Sequence, residues 1–257
     1  VLFLISEIDN HSVYLNKTQL HINYFNTLIK KSLKNKKAII NIQTNYFQTQ
    51  KTARFSTYGE LTSETKYFWF VLHGSKMTCE QMLYKFAEFN PKEHFVVAPE
   101  ALNRFYANGF GGDVVASWMT KRDRLEEIND FSTYLQKLYQ KYLGDLPKSC
   151  TKIILGFSQG GTTMYRWLHA MPTEADFLIP YSCWIPEDID LRKSATQLNQ
   201  IKTYYTYGIQ DQFLSAETIS KVQEVINKNY LDITFYPYDG DHRVSKEQLK
   251  FLFEKIQ

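Results

Sequence analysis

Apolar and polar positions divide this chain into a short-strand region and then a regular succession of strands and helices. Residues 38–44 and 52–58 alternate, as half-buried antiparallel strands do, and Tyr67 to Leu72 is a continuous apolar run. Beyond Leu72, Gln81 to Phe89 is amphipathic, Phe95 to Ala98 reads as a short buried strand, and a long Gly-rich loop follows. Apolar residues at helical spacing predict a helix from about Arg122 to Leu143. Lys152 to Leu155 is a strand running into Gly156, with a helix from about Gln159 to Ala170. Phe177 to Ser182, Thr203 to Tyr207 and Ile233 to Tyr236 read as further strands, accompanied by helices at about 214–228 and 244–256. This alternation implies right-handed crossovers and an α/β fold with a mostly parallel central sheet flanked by helices. Ligands bind such sheets at the carboxyl ends of the strands. Residues 1–36 read as an N-terminal extension without good helix caps, leaving 37–257 as one α/β domain.

Composition narrows the function classes. The 44% hydrophobic content suits a globular chain with a substantial core, and 18 Tyr with 18 Phe fit either an aromatic core or an apolar acyl pocket. Six lysines against Glu7 and Asp9 put +4 into residues 1–37, so the remainder of this +3 chain stands at −1. That is not the concentrated basic footprint of a nucleic-acid-binding protein, and no nucleic-acid partner is expected. Cys79, Cys150 and Cys183 are an odd count without metal-ligand spacing, which argues against a disulfide framework and favours a reducing, cytoplasmic setting. The opening Val-Leu-Phe-Leu-Ile run is too short for a signal peptide, and no stretch is long enough for a transmembrane segment. The chain starts without Met, which leaves upstream sequence and an export signal open.

The candidate chemistry lies where strands turn into helices. Ile153-Ile154-Leu155-Gly156-Phe157-Ser158-Gln159-Gly160-Gly161 joins an apolar strand directly to a helix, the context that G-x-S-x-G requires of a nucleophile. Glycines at 156 and 160 let the backbone close up around a strained serine, and the helix beginning at Gln159 aims unpaired N–H groups at an oxyanion. The plainer alternative is that Ser158 merely caps the helix.

A serine needs an imidazole to take its proton. His11 and His21 fall in the extension, His94 at the wrong edge of the sheet, and His169 along the helix after Ser158. His73 suits a structural post, bracing the loop that it opens. His242, in Tyr238-Asp239-Gly240-Asp241-His242 between the last strand and the last helix, is left as the base. Asp211, just past the strand Thr203 to Tyr207, is the candidate acid that orients it. Asp239 and Asp241 read as turn formers, and Glu187, Asp188 and Asp190 as a solvated acidic loop. Phe70-Val71-Leu72-His73-Gly74-Ser75 ends a strand in His-Gly, so the oxyanion donors are expected to be the backbone N–H groups of Ser75 and Gln159. The loop Asn108 to Asp113, with Ala116-Ser117-Trp118-Met119, reads equally as a substrate-side flap or a surface loop pinned by Trp118.

Taken together, these segments resemble the carboxylesterase/phospholipase group of α/β-hydrolases that includes the acyl-protein thioesterases. The resemblance runs from about Lys37 to Gln257. It rests on Leu72-His73-Gly74, Gly156-Phe157-Ser158-Gln159-Gly160-Gly161, Ser182-Cys183-Trp184-Ile185-Pro186, Asp211 after Gly208, and Gly240-Asp241-His242. Relatives usually follow His-Gly with Leu or a Gly-rich stretch, where this chain has Ser75-Lys76-Met77. The resemblance implies the α/β-hydrolase fold and a Ser158–Asp211–His242 triad that cleaves carboxylic esters or thioesters of a small-molecule or acylated substrate. It also implies Trp118 and Met119 at the substrate border. No metal or organic cofactor is expected, since every step uses side chains and water. The alternatives are a serine peptidase of the same fold and an inactive hydrolase fold kept as a binding protein.

Overall fold

The computed structural model describes residues 42–257, and the folded unit in it spans 51–257. The expected extension over 1–36 lies outside the described residues, as do positions 38–41 of the first expected strand; 42–44 form no strand. Of the expected strand 52–58, the part that forms is β1 (Phe55–Tyr58).

Among the described residues, the central sheet has seven strands in the order β1-β3-β2-β6-β7-β8-β9. These are β2 (Tyr67–Leu72), β3 (His94–Pro99), β6 (Thr151–Phe157), β7 (Phe177–Tyr181), β8 (Lys202–Gly208) and β9 (Ile233–Tyr238). Only the edge strand β1 runs antiparallel, against β3; every other neighbouring pair is parallel. Alternation along the strands sorts side chains onto two faces. Phe68, Phe70, Leu72, Ile154 and Leu178 point to one face, where they pack against α2 (Arg124–Leu143), α3 (Gln159–Ala170) and α5 (Ala216–Lys228). Trp69, Val71, Ile153, Leu155 and Ile179 point to the other, beneath α1 (Cys79–Leu83) and α6 (Lys246–Ile256). A strand covered on both faces must be apolar throughout, which is why β2 reads as an unbroken run.

Three regions depart from the expected pattern. The amphipathic run after Gln81 breaks early, into α1 and a 3₁₀ turn at Tyr84–Phe86, because that turn delivers Phe86 and Phe89 onto the Trp69 ring. The Gly-rich loop holds a hairpin, β4 (Asn103–Tyr106) with β5 (Val114–Ser117). Phe105, Tyr106 and Val114 are exposed on it, so its polar-apolar pattern does not advertise a strand. Residues 191–198 also form a 3₁₀ turn (Leu191–Ser194) and the short α4 (Ala195–Leu198), which the sequence pattern does not show. The three cysteines are buried free thiols, and no described helix is long and apolar enough to cross a membrane.

Candidate active site

Four loops leave the carboxyl ends of parallel strands and meet at one edge of the sheet. They follow β2, β6, β8 and β9 and carry Ser75, Ser158, Asp211 and His242. Ser158 has φ 52° and ψ −121°, in the left-handed half of backbone space, where a non-glycine residue costs about 1–3 kcal/mol. Its N–H donates to the Tyr181 carbonyl at 2.8 Å, which anchors the turn to the end of β7. The turn is possible only because its glycines lack side chains. A Cβ on Gly156 would stand 2.6 Å from the Gly160 oxygen, and one on Gly160 would stand 2.4 Å from the Leu72 oxygen. Gly160 thereby seats the start of α3 directly against the end of β2. The Ser158 side chain does not cap that helix.

The loops after β8 and β9 are stapled together. Ile209 and Gln210 donate their N–H groups to the Tyr238 and Gly240 carbonyls, each at 2.9 Å, and the Gln210 amide donates to Asp239 at 2.7 Å. This brings Asp211 Oδ2 to 2.6 Å from His242 Nδ1, while His242 Nε2 lies 2.9 Å from Ser158 Oγ. The Asp211 carboxylate is fully buried and its other oxygen accepts the Phe213 N–H at 2.8 Å. An ionised carboxylate only accepts, so His242 carries its proton on Nδ1 and turns the Nε2 lone pair to the serine hydroxyl. The imidazole is held between Phe157 and Phe213, with ring centroids 5.0 and 4.7 Å away. The three side chains singled out in the sequence thus form one hydrogen-bonded row.

Gln159 opens α3, where the first N–H groups of a helix have no carbonyl within it. Gly74 packs against Phe157, which sets Ser75 in the loop beside the nucleophile turn. His73 is completely buried: Nε2 accepts the Ala101 N–H at 3.0 Å and Nδ1 donates to the Gly74 carbonyl at 2.7 Å. Burial lowers its pKa, so the ring is a neutral brace for this loop.

The other described histidines lie elsewhere, while His11 and His21 fall outside the described residues. His94 is buried at the amino end of β3, where its Nδ1 accepts the Trp69 indole N–H at 3.1 Å and burial lowers its pKa to about 4. His169 pairs with Ser194 at 2.7 Å. Trp118 and Met119 are only 1% and 9% exposed. The Trp118 indole donates to the His73 carbonyl at 2.8 Å, and Met119 sulfur receives Arg166 at 3.4 Å, so both side chains are engaged by the protein itself. Asp188 is exposed, as expected of the acidic loop, but it also bridges the buried Arg166 at 2.8 Å and Arg124 at 2.7 Å. Burial raises its pKa, but the two guanidinium groups outweigh that and hold it below the usual carboxylate range.

Sequence reasoning missed two supports of the site. One is the Gln159 side chain, which grips residues 117–119. The other is a pair of tyrosines under the His242 loop, hidden because Tyr181 reads as part of an apolar strand and Tyr238 as part of a polar turn.

The geometry can be set beside known proteins. The family model for phospholipases and carboxylesterases matches residues 56–257. Among solved structures, the chain is similar to Zea mays acyl-protein thioesterase 2, with a TM-score of 0.60 and 15% identity over 80% of this chain and 98% of that one. It is similar to esterase PE8 (TM-score 0.57, 16% identity, 80% of this chain and all of that one). Arabidopsis thaliana SOBER1 is a third relative in fold (TM-score 0.54, 19% identity, 75% and 98%). No curated protein matches by sequence. At these identities the solved structures speak for the fold, whereas the family match covers most of the chain. The chain belongs to the phospholipase/carboxylesterase family of α/β-hydrolases.

Proposed function

We propose that this protein is a serine hydrolase that cleaves carboxylic esters or thioesters of small-molecule or acylated substrates through an acyl-enzyme. The observation that carries the reading is the unbroken row from Asp211 through His242 to Ser158, at 2.6 and 2.9 Å. Ser158 Oγ attacks the substrate carbonyl carbon as His242 Nε2 takes its proton. Asp211 stabilises the resulting imidazolium. The N–H groups of Ser75 and Gln159 receive the oxyanion, with the positive end of α3 behind Gln159. The tetrahedral intermediate expels the alcohol or thiol, which takes the proton from His242. Water then repeats the sequence on the acyl-Ser158 ester and frees the acid. Trp118 and Met119 would border the substrate from the loop that the His73 carbonyl and Arg166 hold in place.

A panel of p-nitrophenyl esters and matched thioesters of increasing acyl length tests the proposal. Turnover by the wild type that is lost in Ser158→Ala supports it. Wild-type protein that cleaves none of them, or a Ser158→Ala variant that retains the rate, contradicts it. Aminoacyl amides run in parallel separate an esterase from a peptidase.

A further inference from the structure

Under the His242 loop lies a chain of hydrogen bonds, running from the buried Tyr181 to the surface, that begins and ends on the same stretch of backbone. The Ser245 N–H donates to the Tyr181 hydroxyl at 3.0 Å, Tyr181 donates to Tyr238 at 2.8 Å, and Tyr238 donates to the Arg243 carbonyl at 2.7 Å. The Tyr238 hydroxyl also lies 3.5 Å from the Asp241 carbonyl. Both of its carbonyl neighbours can only accept, so Tyr238 donates to them and receives from Tyr181, and the chain runs in one direction only. Burial raises the pKa of both phenols, so they stay protonated and the chain keeps its direction at any working pH. Its two ends flank the buried Val244, two residues after His242, and Ser245 caps α6 by accepting the Gln248 N–H. Two phenols thus close a turn that the backbone leaves open.

Tyr181 belongs to the nucleophile side as well. Its carbonyl accepts the Ser158 N–H at 2.8 Å, and its ring packs on Phe157, which also meets the His242 imidazole. One residue therefore holds the serine turn by its backbone and the histidine loop by its side chain. We infer that Tyr181, acting through Tyr238, is a positioning residue that sets the distance between Ser158 Oγ and His242 Nε2. The inference rests on the hydrolase reading above. Neither phenol need touch substrate, since the effect is on how often the base lies within hydrogen-bond reach of the hydroxyl.

The test is steady-state kinetics on an ester that the wild type cleaves, with Tyr181→Phe, Tyr238→Phe and the double variant. Each ring stays and only a hydroxyl goes. We expect kcat to fall about 10- to 100-fold in each single variant with KM within about twofold. The double variant should be no slower than the worse single, because either change breaks the same chain. The rate of fluorophosphonate labelling at Ser158 should fall in parallel. Tyr139→Phe is the control: it deletes a buried hydroxyl that donates to the Glu174 carbonyl at 2.8 Å on α2, away from the site, and should keep its kcat. Should Tyr181→Phe fail to fold, Tyr238→Phe carries the test alone. Folded variants with wild-type kcat, effects that multiply in the double variant, or an equal loss in Tyr139→Phe overturn the inference and leave the hydrolase reading standing. A wild type that neither labels nor turns over an ester overturns that reading, and this inference with it.

Discussion

The side-chain carbonyl of Gln159 accepts the backbone N–H of Trp118 at 3.0 Å. The same oxygen accepts the Ser117 hydroxyl at 3.1 Å, and the amide nitrogen donates to the Met119 carbonyl at 2.9 Å. The residue after the nucleophile therefore fastens the end of the β4–β5 hairpin to the first turn of α3.

If this clamp aims the Gln159 N–H, its loss should act on the rate more than on substrate affinity. Gln159→Ala keeps the backbone donor but frees the loop, and kcat should fall about tenfold or more. Gln159→Glu should do no better, since a carboxylate cannot donate to the Met119 carbonyl and faces it as a second acceptor. Stability should drop by about 1–2 kcal/mol in either case. Paired kcat and KM values with denaturant curves check this.

Asp211→Asn should be far more damaging than its size suggests. One Asp211 oxygen is already committed to the Phe213 N–H. The amide oxygen of Asn is best placed there, which turns its NH₂ toward His242 Nδ1. The imidazole must then carry its proton on Nε2 and can no longer accept from Ser158. We expect kcat to fall about 10³- to 10⁴-fold without loss of folding, measured with the same ester.

Gly160→Ala tests the backbone approach. Its methyl would stand 2.4 Å from the Leu72 oxygen and 2.6 Å from that of His73, both main-chain atoms with little room to retreat. The helix must move off the strand, separating the two oxyanion loops. Thermal melting should show a loss of about 3 kcal/mol or more, or no soluble protein at all.

Acid should weaken the fold through His94. Its Nδ1 needs a lone pair to accept the Trp69 N–H, and burial lowers its pKa from 6.5 to about 4. Between those values the unfolded chain binds a proton that the folded one refuses, so stability rises with pH. The contribution is complete above about pH 6.5 and is lost progressively as pH falls toward 4, a swing of about 1–3 kcal/mol. The buried neutral His73 adds in the same direction. Urea denaturation of wild type and His94→Gln at a series of pH values reads it, with the variant's curve flatter in this window.

What the sequence reveals of this protein follows from which interactions are local. The strands β2, β3, β6 and β7 are legible because double-sided burial demands apolar runs, and the Ser158 turn because close backbone contact demands glycine. Asp211 and His242 can be placed at the ends of strands by topology alone. The β4–β5 hairpin is not legible, since Phe105 and Phe110 lie exposed where a binary pattern expects polar residues. Nor is the Gln159 clamp, which joins residues about forty positions apart, or the Tyr181–Tyr238 pair, whose hydroxyls look like any others in an aromatic-rich core. The ion pairs of Asp188 are hidden as well, because its partners Arg124 and Arg166 lie on two separate helices.

The most direct test of the central claim is to expose the native protein to a fluorophosphonate and map the adduct by peptide mass spectrometry. The account predicts one stoichiometric phosphonyl group on Ser158, absent from Ser158→Ala and formed much more slowly in Asp211→Asn. Folded wild-type protein that stays unmodified, or an adduct on another residue, would contradict it.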